Sequence, residues 1–267
     1  MSENTAGPSG RHVLVTGASR GIGANIAAAL VAEGARVSLV GRDATRLAEI
    51  CAELGSAELG GPNRAVPIVA DVTQASSVRE AFATARRQLG PVHILVNNAG
   101  QAASAKFTDT DEALWNRLIG VNLTGTYLCT REAVPDMLQA GFGRIVNIAS
   151  IAGLRGAAYV SAYVASKHAV IGLTRALALE YASRNITVNA ICPGYTDTDM
   201  VKQAVDNIKA KTGRSESEVL ATLTASNPQR RLIAPAEISN AVLWLCRPGT
   251  ESVTGQSIVI AGGEVTT

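Results

Sequence analysis

Tyr163, Lys167 and Ser150 are the residues of this 267-residue chain whose types and spacing suit chemistry. Tyr163 and Lys167 stand four apart at the start of SAYVASKHAVIGLTRALALEYA, whose apolar residues recur at helical spacing, so phenol and ammonium project from one face. Ser150 closes RIVNIAS, an apolar run that reads as a buried strand, and belongs at the carboxyl end of that strand, where open α/β sheets bind ligands. A free tyrosine, with a pKa of about 10, is a poor proton donor or acceptor at neutral pH, but a nearby lysine cation favours the phenolate and lowers that value. Tyr163 then becomes a general acid/base, and Ser150, able both to donate and to accept, holds a carbonyl oxygen while the proton moves. This is carbonyl and alcohol chemistry. Each residue alone also has a plain structural role, as a packed ring, a solvated cation or a cap, so the elements around them have to decide.

Those elements alternate. HVLVTGASRGIGANIAAALVAEGARVSLVGRD reads as strand, glycine turn, amphipathic helix and strand, a βαβ unit that requires a right-handed crossover and a parallel sheet. RAVPIVADV reads as a third strand ending at Asp71 and Val72, SSVREAFATARRQLG as a helix, and HILVNNAG as a fourth strand. The pattern predicts an α/β fold, a doubly wound parallel sheet with helices on both faces. Gly17, Gly21 and Gly23 lie between strand and helix, where missing side chains let backbone N–H groups and the helix N-terminus approach a pyrophosphate. Their TGxxxGxG spacing departs from GxGxxG, and a tight βα connection is the plainer alternative. At the end of the second strand an acidic residue would hold a free ribose 2′-hydroxyl, whereas arginine accommodates a 2′-phosphate. Arg42, helped by Arg20 in the glycine turn, favours NADP(H); the adjacent Asp43 leaves room for NAD(H).

Asn97 to Gly100 form a small polar strand end against which a flat ring can lie, or simply a hydrogen-bonded turn. Asn122 interrupts the long helical stretch DEALWNRLIGVNLTGTYLCTREAVPDML; an asparagine there is expected to kink the helix or hold a water near Lys167, and Pro135 to bend or restart it. From Asp199 to Arg231 two short polar helices are expected, joined at Thr212 and Gly213. Their Lys202, Lys209, Lys211, Arg214, Arg230 and Arg231 either meet the phosphates of a thioester carrier or form an ordinary solvated face.

Composition sets limits. A 47% hydrophobic, 17% charged chain of net charge +2 can bury a sizeable core, and its scattered basic residues point to neither nucleic acid nor an anionic membrane. Its apolar stretches are too short and interrupted to span a bilayer, and MSENTAGPSGRH lacks the apolar core of a signal peptide. Residues 1–10 read as a disordered lead-in to one domain over 11–267, in the cytosol. Cys51, Cys129, Cys192 and Cys246 are spaced as reduced, mostly buried thiols, and His12, His93 and His168 form no ligand cluster, so no metal is expected.

Taken together, TGASRGIG at Thr16 to Gly23, NNAG at Asn97 to Gly100, Asn122, Ser150 and Tyr163-x-x-x-Lys167 resemble the classical short-chain dehydrogenases/reductases in order and spacing over nearly the whole chain. The resemblance implies a single Rossmann-type domain with a small helical substrate lid at about 199–231. It implies a catalytic tetrad: Tyr163 moving the proton, Lys167 lowering its pKa and holding the nicotinamide ribose, Ser150 orienting the carbonyl, and Asn122 anchoring a water. Cofactor contacts are implied for the glycine turn, Gly17, Ser19, Arg20, Gly21, Ile22 and Gly23, and for Arg42. Others are implied for Asp71 and Val72 beside the adenine, for Asn98, Ala99 and Gly100, for Tyr163 and Lys167, and for Pro193, Gly194, Thr196 and Thr198 around the carboxamide and phosphates. A homotetramer built on long helices and the strand QSIVIAGG is implied as well; Ala261 stands where many relatives carry aspartate. Within the family the chain looks most similar to 3-oxoacyl-thioester reductases and 3-hydroxyacyl-CoA dehydrogenases, with a cyclic or aromatic secondary alcohol as the other substrate class. A nucleotide-binding scaffold without activity is the reading from another class, and it would predict a broken tetrad.

Overall fold

The computed structural model describes residues 7–55 and 64–266. Of the lead-in read over 1–10, residues 1–6 lie outside the described residues. Residues 7–10 form a turn pinned by Gly10 N–H to Gly34 O (2.9 Å) and Arg11 Nε to Gly7 O (3.1 Å).

Among the described residues seven strands make one parallel sheet: β1 (His12–Thr16), β2 (Arg36–Gly41), β3 (Ala65–Val69), β4 (Ile94–Asn97), β5 (Gly143–Ile148), β6 (Ile186–Pro193) and β7 (Ser257–Ile260). Their order, β3-β2-β1-β4-β5-β6-β7, reverses direction between β1 and β4, which opens a ligand crevice at the carboxyl ends of those two strands. The sheet is buried on both faces, so β1 reads as an unbroken apolar run that still obeys strand alternation. Val13 and Val15 face one core with Ile26 and Leu30 of α1 (Gly21–Ala32) and Val242 of α9 (Pro235–Cys246). Leu14 faces the other, with Phe82 of α3 (Ala75–Leu89) and Met137 of α5 (Gly125–Ala140). Burying each such side chain contributes roughly 1.5–3 kcal/mol.

Three elements depart from the sequence expectation. β3 ends at Val69, so Asp71 and Val72 lie beyond it in the turn, where Asp71 Oδ1 accepts from Thr73 N (2.9 Å) and Oγ1 (2.8 Å). Pro135 sits inside α5, which runs on to Ala140 and stops at Gly141 in the left-handed region. The helical stretch around Asn122 is α4 (Glu112–Ile119), a π turn over Gly120–Thr124, and α5, so Asn122 marks a widened turn of the kind that gathers at functional sites.

A buried polar tie runs through the centre. Asn97 and Asn147, paired in the β4–β5 register, share a hydrogen bond (2.9 Å); Asn97 also donates to Thr130 Oγ1 (3.0 Å), and Asn147 to Thr174 Oγ1 (2.8 Å) on α6 (Ser161–Tyr181). Asn97 is thus committed to the interior rather than to a ring lying on the strand end.

The excursion after β6 contains α7 (Asp199–Thr212), Gly213 at φ +71°, and α8 (Glu216–Leu223), joined where the sequence places them. It has its own small core, Val201, Val205 and Val219 backed by Ile208, Leu220, Leu223 and Leu232.

Candidate active site

The glycine turn after β1 is a cradle that side chains would fill. Gly17 and Gly21 have φ of +65° and +56°, which only glycine adopts without strain. A Cβ on Gly17 would stand 2.9 Å from Ala99 Cα, and one on Gly23 would collide with Gly17 O and Asn98 Nδ2. Arg20 occupies the N-cap of α1 in an extended conformation without a side-chain cap, so the first-turn N–H groups of the helix remain available to an anion. Thr198 closes the cradle from the other side, its Cγ2 lying 3.4 Å from where a Gly21 Cβ would be. Asn98 braces the turn, donating to Thr16 O (3.0 Å) and Gly17 O (3.1 Å). Thr16 Oγ1 accepts from the backbone of both Asn98 and Ala99 (3.0 Å each), which leaves Gly100 at the rim beside Asn122 Oδ1 and Lys167 Nζ. These residues fit a dinucleotide pyrophosphate.

Beyond the cradle, Ala18 N–H donates to Val40 O (3.2 Å), which brings Ser19 and the exposed Arg20 beside the end of β2, where Gly41 offers no side chain and Arg42 is exposed. Asp43 is committed elsewhere: it caps α2 (Ala44–Leu54), its carboxylate accepting from Arg46 N at 3.0 Å. Ile22 packs onto the core under α1, and buried Val72 lies where Gly125 admits it, since a Cβ on Gly125 would approach Val72 Cγ2 to 2.8 Å. Pro193 ends β6; Gly194 N–H donates to Ile260 O (3.0 Å), and the hydroxyls of Thr196 and Thr198 close local turns on Gly194 O (3.1 Å) and Thr196 O (3.2 Å).

Ser150 lies two residues past β5, its hydroxyl accepting from Ala152 N (3.1 Å) and near enough to Tyr163 to lower the pKa of that phenol. Lys167 Nζ donates to Ile148 O (2.8 Å) and sits 5.8 Å from the centre of the Tyr163 ring. One of its three donors is thereby spent. The electrostatics correct one expectation: Tyr163 is raised above its ordinary value by burial, the hydrogen bond with Ser150 opposing, and Lys167 does not offset this. Burial acts on Lys167 too, pushing it down to about 8. Desolvation disfavours both charged forms, so the phenol of the protein alone is protonated at neutral pH, the form that donates to a carbonyl oxygen.

Asn122 is nearly inaccessible and its side chain makes three hydrogen bonds: Nδ2 donates to Gln101 O (2.9 Å) and Ser166 Oγ (2.9 Å), and Oδ1 accepts from Gln101 N (2.8 Å). Ser166 is the residue that sequence reasoning missed. Fully buried between Tyr163 and Lys167, it donates to Tyr163 O (2.7 Å) and accepts from Asn122, tying α6 to the π turn. A serine on the inner face of an otherwise apolar helix was the available signal.

Two of the six basic residues between 199 and 231 have acidic partners. Arg231 forms a two-pronged pair with Glu237 at the start of α9 (2.7 and 2.9 Å), holding that carboxyl down at about 2, and Lys209 pairs with Glu216 (3.2 Å) and Asp206 (3.8 Å).

Comparison with known proteins agrees with this geometry. A sequence model of the short chain dehydrogenase family matches residues 11–209. The chain is 38% identical to 2-(S)-hydroxypropyl-CoM dehydrogenase 3 of Xanthobacter autotrophicus over 94% of this chain and 95% of that one. Its fold superposes with a TM-score of 0.90 on an actinorhodin polyketide ketoreductase variant with NADPH, at 36% identity, covering 95% of this chain and 97% of the other. For the L-sorbose reductase of Gluconobacter frateurii complexed with NADPH and L-sorbose the TM-score is 0.92 at 28% identity, covering 98% and 99%. A glycine cradle at the β1–β4 reversal, with Ser150, Tyr163 and Lys167 meeting beyond β5, thus stands in a chain that belongs to the short-chain dehydrogenase/reductase family, a Rossmann-type oxidoreductase acting on CH–OH groups of small molecules.

Proposed function

We propose that the protein interconverts a ketone and a secondary alcohol with NADP(H), and that the substrate is a 3-oxoacyl or 3-hydroxyacyl thioester of coenzyme A or an acyl carrier protein. The observation that carries the reading is the meeting of Ser150, Tyr163 and Lys167 beside the glycine cradle. When bound, the nicotinamide donates or accepts the hydride. Ser150 hydrogen-bonds the substrate oxygen and Tyr163 gives it the phenolic proton, or takes that proton back in the oxidative direction. Lys167 keeps two donors for the ribose and for the charge that develops on the phenolate. Asn122 anchors a relay water, and its side chain fixes the loop after β4 at Gln101. Gly17, Gly21 and Gly23 receive the pyrophosphate, Asp71 and Val72 flank the adenine, and Thr196 and Thr198 close over the phosphates. Preference for NADP(H) is supported by Arg20 and Arg42 standing exposed at the end of β2 while Asp43 is spent on a helix cap.

A second reading, a cyclic or aromatic secondary alcohol without a thioester, is favoured by the pairing of Arg231 and Lys209, which leaves fewer cations for a phosphate-bearing carrier. Residues 199–231 act as the lid in either case. We place the protein in the cytosol; among the described residues no helix is long and apolar enough to cross a membrane. A homotetramer is supported by the exposed Leu179 of α6 and Tyr127 of α5, and by the free edge of β7. The test is absorbance of the reduced nicotinamide with NADPH and NADH in parallel, against 3-oxoacyl thioesters and cyclic or aryl ketones. Turnover of a thioester with NADPH is expected; faster turnover with NADH, or activity on free ketones alone, contradicts the respective part.

A further inference from the structure

Arg155 lies in the loop between Ser150 and Tyr163, where it is held from one side only. Its Nη2 pairs with the carboxylate of Glu264, whose side chain is 2% exposed, while the side chain of Arg155 stays 41% exposed. Glu264 sits at a junction of separate segments. Its Oε1 also accepts from Ser226 Oγ, at the end of the α7–α8 excursion, and a Cβ on Gly194 would lie 3.5 Å from its Oε2. Among the described residues, Nε and Nη1 of Arg155 make no hydrogen bond to protein. A buried carboxylate that grips one edge of a guanidinium and leaves the others open orients a donor fork for a further anion. The pair adjoins segments that carry the site: Arg155 follows Ser150 by five residues, and Glu264 lies against Gly194 at the end of β6. Tyr195, the next residue, is 42% exposed.

We infer that Arg155, oriented by Glu264 and Ser226, determines specificity by binding an anionic group, carboxylate or phosphate, carried by the ketone or alcohol substrate. The inference rests on the proposal that carbonyl chemistry takes place at Tyr163. It differs from a role for the cations between 199 and 231, because Arg155 belongs to the loop that carries Ser150. An ion pair serving only to fasten that loop to the C-terminal segment would treat neutral and anionic substrates alike.

Two matched substrate pairs on one 3-oxoacyl chain separate these cases: the coenzyme A thioester against the N-acetylcysteamine thioester, and the free acid against its methyl ester. In the unaltered enzyme the anionic member of one pair is expected to have a kcat/KM at least about tenfold higher, declining as ionic strength rises. Arg155→Gln should remove that advantage through KM, leaving the neutral member within about threefold. The pair that responds distinguishes phosphate from carboxylate. Equal rates within both pairs of the unaltered enzyme, or an equal loss on both members in Arg155→Gln, overturn the inference; the salt series on unaltered enzyme decides the matter even if the variant does not fold. Turnover of simple ketones with indifference to the anion leaves the proposed chemistry standing without this role for Arg155, whereas no turnover of any ketone overturns both.

Discussion

The carboxyl edge of the sheet and the α7–α8 excursion are built by opposite rules. At the sheet edge the key polar side chains are bound to other elements: Asn98 to the glycine turn, Asn122 to Gln101 and Ser166, Lys167 to Ile148. The excursion is stabilised mainly from within, by three buried valines, a capping box between Ser215 and Glu218, and surface ion pairs such as Lys209–Glu216, which are worth little individually. Its ties to the rest of the chain lie at its end, where Ser226 Oγ donates to Glu264 Oε1 and Arg231 grips Glu237 (2.7 and 2.9 Å). A reaction that needs donors held to fractions of an ångström belongs on the first kind of construction, and a cover that must admit and release substrate belongs on the second.

Substitutions on the two sides should therefore fail differently. The largest effect short of removing Tyr163 is expected for Gly23→Ala, whose methyl meets Gly17 O and Asn98 Nδ2: overpacking of about 1–3 kcal/mol predicts NADPH binding weakened on the order of 10- to 100-fold by fluorescence titration. Next is Ser166→Ala, which leaves one N–H of buried Asn122 without its partner. A loss of about 1–3 kcal/mol in positioning predicts kcat down roughly tenfold or more with KM nearly constant, restored in part by Ser166→Thr. A rise in KM alone would place Ser166 with the lid instead. Val219→Ala, in the core of the excursion, should do the reverse, raising KM a few-fold with little change in kcat or Tm, by steady-state kinetics and calorimetry.

The smallest effect on the reaction concerns the opposite end of β1, where the change is one of stability. His12 is buried and neutral, Nδ1 donating to Gly90 O (2.7 Å) and Nε2 accepting from Ser38 Oγ (2.8 Å), and burial pushes its pKa down to about 4. Since the unfolded chain takes up a proton near pH 6.5 and the folded one only near 4, stability declines as pH falls through that window, by up to roughly 3 kcal/mol, and is unaffected above it. Denaturant titrations of the native chain and of His12→Asn at pH 7 and pH 4.5 should show the difference narrowing in acid.

Much of this contrast was legible in the residues. Alternation of strand and helix signals gave the parallel sheet, and the glycine spacing gave the cradle, because both follow from local sterics and patterning. The junction at Thr212 and Gly213 was readable for the same reason. What could not be read were bonds between segments distant in sequence: Asn97 to Asn147, Asn122 to Ser166, Arg155 to Glu264. The strand end at Asp71 was overrun because an apolar valine after it, Val72, packs against Gly125 rather than extending β3. The raised pKa of Tyr163 was unreadable for a related reason, since sequence reveals the lysine nearby but not the burial of the phenol.

The central claim is that Tyr163 moves the proton, so that its hydroxyl matters far more to the rate than to cofactor affinity. Tyr163→Phe removes one oxygen from the site, so NADPH affinity and single-turnover kinetics should be measured together in the unaltered chain and in this variant. The account predicts a dissociation constant within about threefold and a rate of reduction lower by on the order of 10³-fold, the scale of a lost general acid. Full activity in the variant, or a loss of rate explained entirely by lost cofactor binding, would contradict it.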